Sequence, residues 1–170
     1  ENLKLLNIFG NGPMNNYTVK NIPWKSILNL IETVNISYGV TSIGNSSFND
    51  CTNLKKVYIS NSVQFIGDNS FNRCESLQYI DIPDSVHEIG TCFWYCRNLV
   101  SITIGKNLRK IGKYDFVRGC DKLKSFNVSN LNPYYHSIDG ILFSKSNKTL
   151  VCYPSGSEIT SYSIPSEVTD

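Results

Sequence analysis

Apolar residues along this chain come in short bursts separated by polar stretches. Four bursts share one form: Leu54-x2-Val57-x-Ile59, Leu77-x2-Ile80-x-Ile82, Leu99-x2-Ile102-x-Ile104 and Leu123-x2-Phe126-x-Val128. The last two apolar residues of each alternate with a polar one, which predicts a half-buried strand. A second burst, typified by Val40-x2-Ile43-Gly44, predicts another short extended piece whose Gly permits a backbone turn that a Cβ would hinder. Between the two, Phe48-x2-Cys51-x2-Leu54 has a spacing of three, which suits a tight helical or 3-10 turn with one inward face.

The bursts are copies of one unit. Val40, Ile43, Gly44, Phe48, Cys51, Leu54, Val57 and Ile59 recur 23 residues later as Val63, Ile66, Gly67, Phe71, Cys74, Leu77, Ile80 and Ile82. A third unit (Val86, Ile89, Gly90, Phe93, Cys96, Leu99, Ile102, Ile104) is one residue shorter between Gly and Phe. The fourth (Leu108, Ile111, Gly112, Phe116, Cys120, Leu123, Phe126, Val128) gains one before the Cys. Ile31-x2-Val34-x-Ile36 supplies a strand before the first full unit, and Ile159-x2-Tyr162-x-Ile164 resumes the frame after an insertion. A single coil of this kind cannot close a core. Stacked at about 4.8 Å, equivalent residues form ladders that bury one another.

The fold class predicted is therefore a repeat solenoid: short parallel strands, irregular or 3-10 turns, and a right-handed curved stack of coils. One domain is expected, with residues 1–39 as an N-terminal capping segment with the first strand. Residues 40–130 make four coils, 131–158 a hairpin-like insertion, and 159–170 the start of a further coil in a longer array.

Composition adds to this picture. In 170 residues there are 20 Asn, 21 Ser and one Met, a mixture that favours turns and short strands over long helices. A net charge of +2 removes the broad attraction on which nucleic-acid binders rely. No apolar run approaches the roughly 18 residues of a membrane span, so no membrane insertion is expected of this chain.

The unit V-x2-I-G-x3-F-x2-C-x2-L-x2-I-x-I-(P) resembles the BspA-type leucine-rich repeats of bacterial and protist surface proteins, over roughly residues 31 to 170. Ile82-Pro83 and Ile164-Pro165 keep the Ile-Pro ending, whereas Ile59-Ser60 and Ile104-Gly105 depart from it. The run from Leu6 to Met14, then Pro23-Trp24, is similar to the lead-in of that family, and Ile138-Asp139-Gly140-Ile141 with Tyr153-Pro154 to its hairpin interruptions. The resemblance implies a cell-surface or secreted protein that adheres to host or neighbouring-cell proteins, matrix proteins or glycans.

No catalytic constellation emerges. Cys51, Cys74, Cys96 and Cys120 share one repeat position and should form an inward ladder of free thiols, a line rather than the convergent point zinc needs. Cys92 and Cys152 lie outside it, and a Cys92–Cys96 bridge stays open as an alternative. His87 and His136 have no recurring acid or nucleophile beside them, and Gly10-Asn11-Gly12 lacks the Lys and Ser/Thr of a phosphate loop. Neither enzyme activity nor a cofactor is expected. Asn16, Asn35, Asn45, Asn127 and Asn147 open N-x-S/T sequons, about as many as this Asn- and Ser-rich chain would show by chance.

Binding residues are read from the strands. Tyr58, Asp81, Thr103 and Asn127 should point outward in successive coils, beside a second outward column of Lys56, Tyr79, Ser101 and Ser125. Together they would pave the sheet face that repeat proteins use for partners, with Tyr offering contact area at low entropy cost. Trp94 and Tyr95 form a secondary aromatic candidate. Arg109, Lys110 and Lys113 belong to a basic cluster with Lys106, Arg118, Lys122 and Lys124. The competing reading is a structural spacer that carries another domain and binds nothing. An uncovered final coil would also allow self-association.

Overall fold

The computed structural model describes residues 4–112, 115–145, 148–164 and 168. Two kinds of parallel strand alternate along the chain. After β1 (Leu5–Ile8) and β2 (Gly12–Pro13), a 3-10 helix over Lys25–Leu30 leads into β3 (Thr33–Ile36) and β4 (Val40–Ile43). The coils then contribute β5 (Lys56–Ile59), β6 (Phe65–Ile66), β7 (Tyr79–Ile82), β8 (Glu88–Ile89), β9 (Ser101–Ile104), β10 (Lys110–Ile111) and β11 (Ser125–Val128). An antiparallel unit follows: β12 (Tyr135–Ile138), β13 (Ile141–Ser144) and β14 (Thr149–Cys152).

The result is a β-solenoid of about four coils of roughly 23 residues, with little helix. The two-residue strands stack as β2-β4-β6-β8-β10, while the four-residue strands form two sheets, β1-β3-β5 and β7-β9-β11. Residues 23 apart stack because each coil repeats the same backbone path, so Ile43 pairs with Ile66 and Ile66 with Ile89.

The inward side chains of the turn column between the strands are completely buried. Phe48, Phe71, Phe93 and Phe116 are fully buried, as are Cys51, Cys74, Cys96, Cys120 and Leu54, Leu77, Leu99, Leu123. The i→i+3 bonds that define a 3-10-like turn are present: Cys51 N–H to Phe48 O at 3.2 Å and Leu54 N–H to Cys51 O at 3.0 Å. Phe48, Phe71 and Phe93 stack with centroids 5.4 and 5.9 Å apart, and Trp24 continues the stack 5.5 Å from Phe48. Its indole N–H donates to Ser47 O at 2.9 Å. Trp24, read from sequence only as part of a lead-in, is thus the first rung of the aromatic ladder.

The four ladder cysteines are buried and free, and so is Cys92, with no Cys92–Cys96 bridge. Their position has a bonding reason: Cys74, Cys96 and Cys120 donate their S–H to Phe48, Phe71 and Phe93 O of the preceding coil, at 3.3, 3.1 and 3.0 Å. Burial pushes the Cys51 thiol up to about 12 and Cys74 and Cys92 well above the ordinary value, so these are inert side chains.

The repeat glycines act differently from the expectation. Gly67 has no left-handed φ; it is needed because a Cβ there would sit 2.4 Å from Asn45 Oδ1 and 2.7 Å from Asn45 N. Close approach between coils, rather than turning of the chain, excludes a side chain. That approach lets a second polar ladder form, in which Asn16, Asn45 and Asp68 accept the backbone N–H of Asn45, Asp68 and Thr91 at 2.8, 2.9 and 2.8 Å. A left-handed pair does occur at the Asp139-Gly140 turn of the hairpin, φ +50 and +79. There Gly140 O accepts the Phe126 N–H at 2.8 Å, fastening the turn to β11.

Where sequence periodicity places another strand, residues 159–164 form none, with Ile164 61% exposed. Tyr162 instead packs against Phe143 and Tyr153. The hairpin turn already sits on β11, the strand on which a further coil would build.

Candidate functional site on the strand face

All eight primary candidates lie on the long strands, each on the side opposite the core. Tyr58 and Tyr79 are 57% and 58% exposed, Lys56, Asp81, Thr103 and Asn127 are exposed, and Ser101 and Ser125 are half-buried. Pairing sets Tyr79, Ser101 and Ser125 in one column and Asp81, Thr103 and Asn127 in the next. The columns do not run unbroken into Lys56 and Tyr58, because β5 and β7 belong to different sheets. Lys56 and Tyr58 instead continue into Thr33 and Asn35, and Asn35 donates from Nδ2 to Asn7 at 3.1 Å.

One of the missing bonds has a local reason. At the other junctions the residue just after each strand donates its N–H to the last carbonyl of the strand before. Ser37 donates to Ile8, Ser60 to Ile36, Gly105 to Ile82 and Ser129 to Ile104, at 2.9, 3.2, 2.9 and 2.9 Å. The corresponding residue for β7 is Pro83, which has no N–H to offer Ile59. The strand entrance is open as well. Glu32, Gln78 and Val100 O accept the N–H of Lys55, Val100 and Lys124 at 2.8, 2.7 and 2.8 Å, but Lys55 O takes no such bond from Gln78 or Tyr79.

The core registers the opening. Val34, Ile36, Ile80 and Ile82 are buried, yet Val57 and Ile59, at equivalent positions in mid-array, are only half-buried. A cleft of about 680 Å³ results, with Val57 among its walls, Tyr58 and Tyr79 flanking it, and Lys56, Gln78 and Asp81 around them. Ser76, Gln78 and Asn98 also line it and were not singled out from sequence; Pro83 was the signal available there. The opening is confined to this face. On the turn side Phe48 and Phe71 remain stacked, Cys74 still donates to Phe48 O, and β4 pairs with β6.

The secondary candidates are engaged in inter-coil contacts. Trp94 donates its indole N–H to Asp115 O at 2.7 Å with the Arg118 guanidinium over its ring. Tyr95 lies between Arg73 and Arg97, each 5.8 Å from its centroid. Lys110 pairs with Glu88 at 2.7 Å, Lys106 with Asp84 at 3.6 Å, and Lys124 with Glu158, so much of the basic cluster is neutralised. Arg109 O accepts from the Tyr135 hydroxyl at 3.5 Å, and Lys113 lies outside the described residues. Trp94 and Lys110 share a second groove, of about 840 Å³, between the short strands and the hairpin. No group of three or more metal-ligating side chains occurs among the described residues. Among them, too, no helix is long and apolar enough to cross a membrane.

The family described as "BspA type Leucine rich repeat region (6 copies)" matches residues 25–150. The chain belongs to this BspA-type leucine-rich repeat family. No curated protein sequence matches it. Among solved structures, a leucine-rich repeat protein from Eubacterium ventriosum is 27% identical with a TM-score of 0.74, over 99% of this chain and 51% of that one. The T. pallidum leucine-rich repeat protein TpLRR is 25% identical, TM-score 0.59, over 67% of this chain and 50% of that one. The pneumococcal vaccine antigen PcpA is 26% identical, TM-score 0.53, over 81% of this chain and 29% of that one. The BspA-type chain described here thus spans about half the length of the Eubacterium protein. Membership supports a repeat-based protein-interaction module.

Proposed function

We propose that this chain is an adhesion module, displayed at the cell surface or secreted, that binds host or neighbouring-cell proteins or matrix proteins through its strand face. The observation that carries this reading is the pair Tyr58 and Tyr79, both more than half exposed on either side of one cleft. Aromatic side chains left in water beside an apolar cleft cost solvation that a partner recovers on binding. The basic cluster supports a glycan partner less well, since Lys106, Lys110 and Lys124 already have carboxylate partners. A neighbour described as a vaccine antigen is in keeping with display, and no enzymatic role is part of the reading.

The test is saturable binding of the purified chain to host cells and immobilised matrix proteins, beside a folded Tyr58→Ala/Tyr79→Ala variant. Binding lost in the variant supports the module. Absence of binding by the folded wild-type chain points to a spacer.

A further inference from the structure

The cleft between β5 and β7 restricts what kind of partner it can hold. The two strands remain neighbours, with Cα atoms still within 8 Å of one another. An inserted strand would need about 9.5 Å, two strand spacings, so the seam does not accept an added strand. Its volume of about 680 Å³ lies within the range of sites that hold compact ligands.

Three kinds of group converge there. Val57 and the two tyrosine rings supply apolar surface. Lys55 O and the Tyr79 N–H, whose counterparts bond one another at the other junctions, have no backbone partner across the seam. Lys56 and Asp81 flank the cleft from β5 and β7, and neither has an ion pair among the described residues, unlike Lys55, which Glu32 holds at 2.8 Å. Apolar surface bounded by one unpaired cation, one unpaired anion and free backbone donors and acceptors matches a polypeptide. A neutral oligosaccharide would offer Lys56 and Asp81 no counter-charge, and a sulfated or other acidic polymer would meet Asp81.

We propose that the Pro83 seam is a docking cleft for an exposed segment of a partner protein. The segment inserts one apolar side chain against Val57 between Tyr58 and Tyr79, with an acidic residue beside Lys56 and a basic residue beside Asp81. This rests on the strand-face reading above and assigns the chemistry of its partner.

The experiment pans a random peptide display library against the immobilised chain and measures synthetic copies of the recovered peptides by calorimetry. A panel of neutral and sulfated oligosaccharides is run in parallel. The expected result is a shared apolar residue flanked by opposite charges, and affinity about thirtyfold weaker for Val57→Thr and for Tyr79→Ala. Lys56→Glu/Asp81→Lys should reverse the preferred order of the charges. Pro83→Ser restores an N–H for Ile59 O; amide hydrogen exchange reports closure, and a closed seam should reject the peptides.

Peptides that bind folded Val57→Thr and the charge-swapped variant as well as wild type would overturn the docking cleft. If Tyr58→Ala/Tyr79→Ala still abolished binding to cells, the strand-face reading would survive alone. Oligosaccharide binding lost in Tyr79→Ala, with no peptide enriched, would replace the polypeptide by a glycan. Recovery of no ligand in either arm, with the chain folded, would also overturn the proposal.

Discussion

The junction of β7 with β9 and the junction of β5 with β7 are built from the same repeat, yet one is closed and the other open. In the first, Ile80 and Ile82 pair with Ile102 and Ile104 and all four are buried. In the second, Val57 and Ile59 face a neighbour with no ladder bonds and stay half-buried. Apolar residues at the right spacing therefore do not close a coil by themselves. The backbone bonds must also be available, and a single proline in place of Ser or Gly removes one of them.

The largest expected effect sharpens that contrast. Leu77→Asp buries a charge where the ladder is dry, and should cost on the order of 5 kcal/mol or more and melt neighbouring coils together. Val57→Asp, at a half-buried position beside the seam, should cost less, about 1–2 kcal/mol, by the same denaturation measurement. Equal losses would mean that the seam is as closed as the rest.

Phe71→Ala comes next. It removes the ring between Phe48 and Phe93 and should cost about 3–5 kcal/mol in urea unfolding. Because the turn column runs unbroken past the seam, the loss should appear in a single transition. Two separate transitions would show that the seam divides the solenoid into independently melting halves.

Cys74→Ala should cost about 1 kcal/mol, since it deletes a small buried side chain and its bond to Phe48 O. Cys74→Ser keeps a donor for that carbonyl and should cost less. Thermal melts of the two variants decide whether the thiol serves as donor or only as filler.

The smallest effect lies at the surface of the first coils. Glu32 bridges Lys4 at 2.7 Å and Lys55 at 2.8 Å, and hydrogen bonds from these two lysines hold its carboxyl at about 2 instead of 4.5. A lowered folded value means the contribution is complete above 4.5, shrinks below it and is lost as pH falls through about 2. Glu32→Gln should lower the melting temperature slightly at pH 7, and the difference should vanish only well below pH 2. Added salt should shrink the difference, because the groups are exposed. A difference that persisted undiminished well below pH 2 would show that the glutamate acts through packing.

Much of this was legible in the residues. Four copies of one spacing predicted the solenoid, the two strand columns, the inward Phe, Cys and Leu ladders, and the outward direction of Tyr58 and Tyr79. The role of the glycines was misread, because the distance between coils is a property of the stack and no single coil contains it. Trp24 was missed as a rung for a similar reason: its segment lacks the unit that makes Phe48 recognisable. The basic cluster looked open in sequence, but its acidic partners Asp84 and Glu88 each lie 22 residues earlier, in the preceding coil.

The sequence by itself determined the period, the identity of the core and which side chains face water, since alternation and repeat length are local properties of the chain. Tertiary structure alone decided that the strand face is split, that Val57 reaches its surface, and that most cluster lysines are neutralised. Those outcomes depend on which N–H meets which carbonyl, and which charge meets which, across neighbouring coils. Pro83 was visible all along, but only the strand packed beside it showed which bond it withholds.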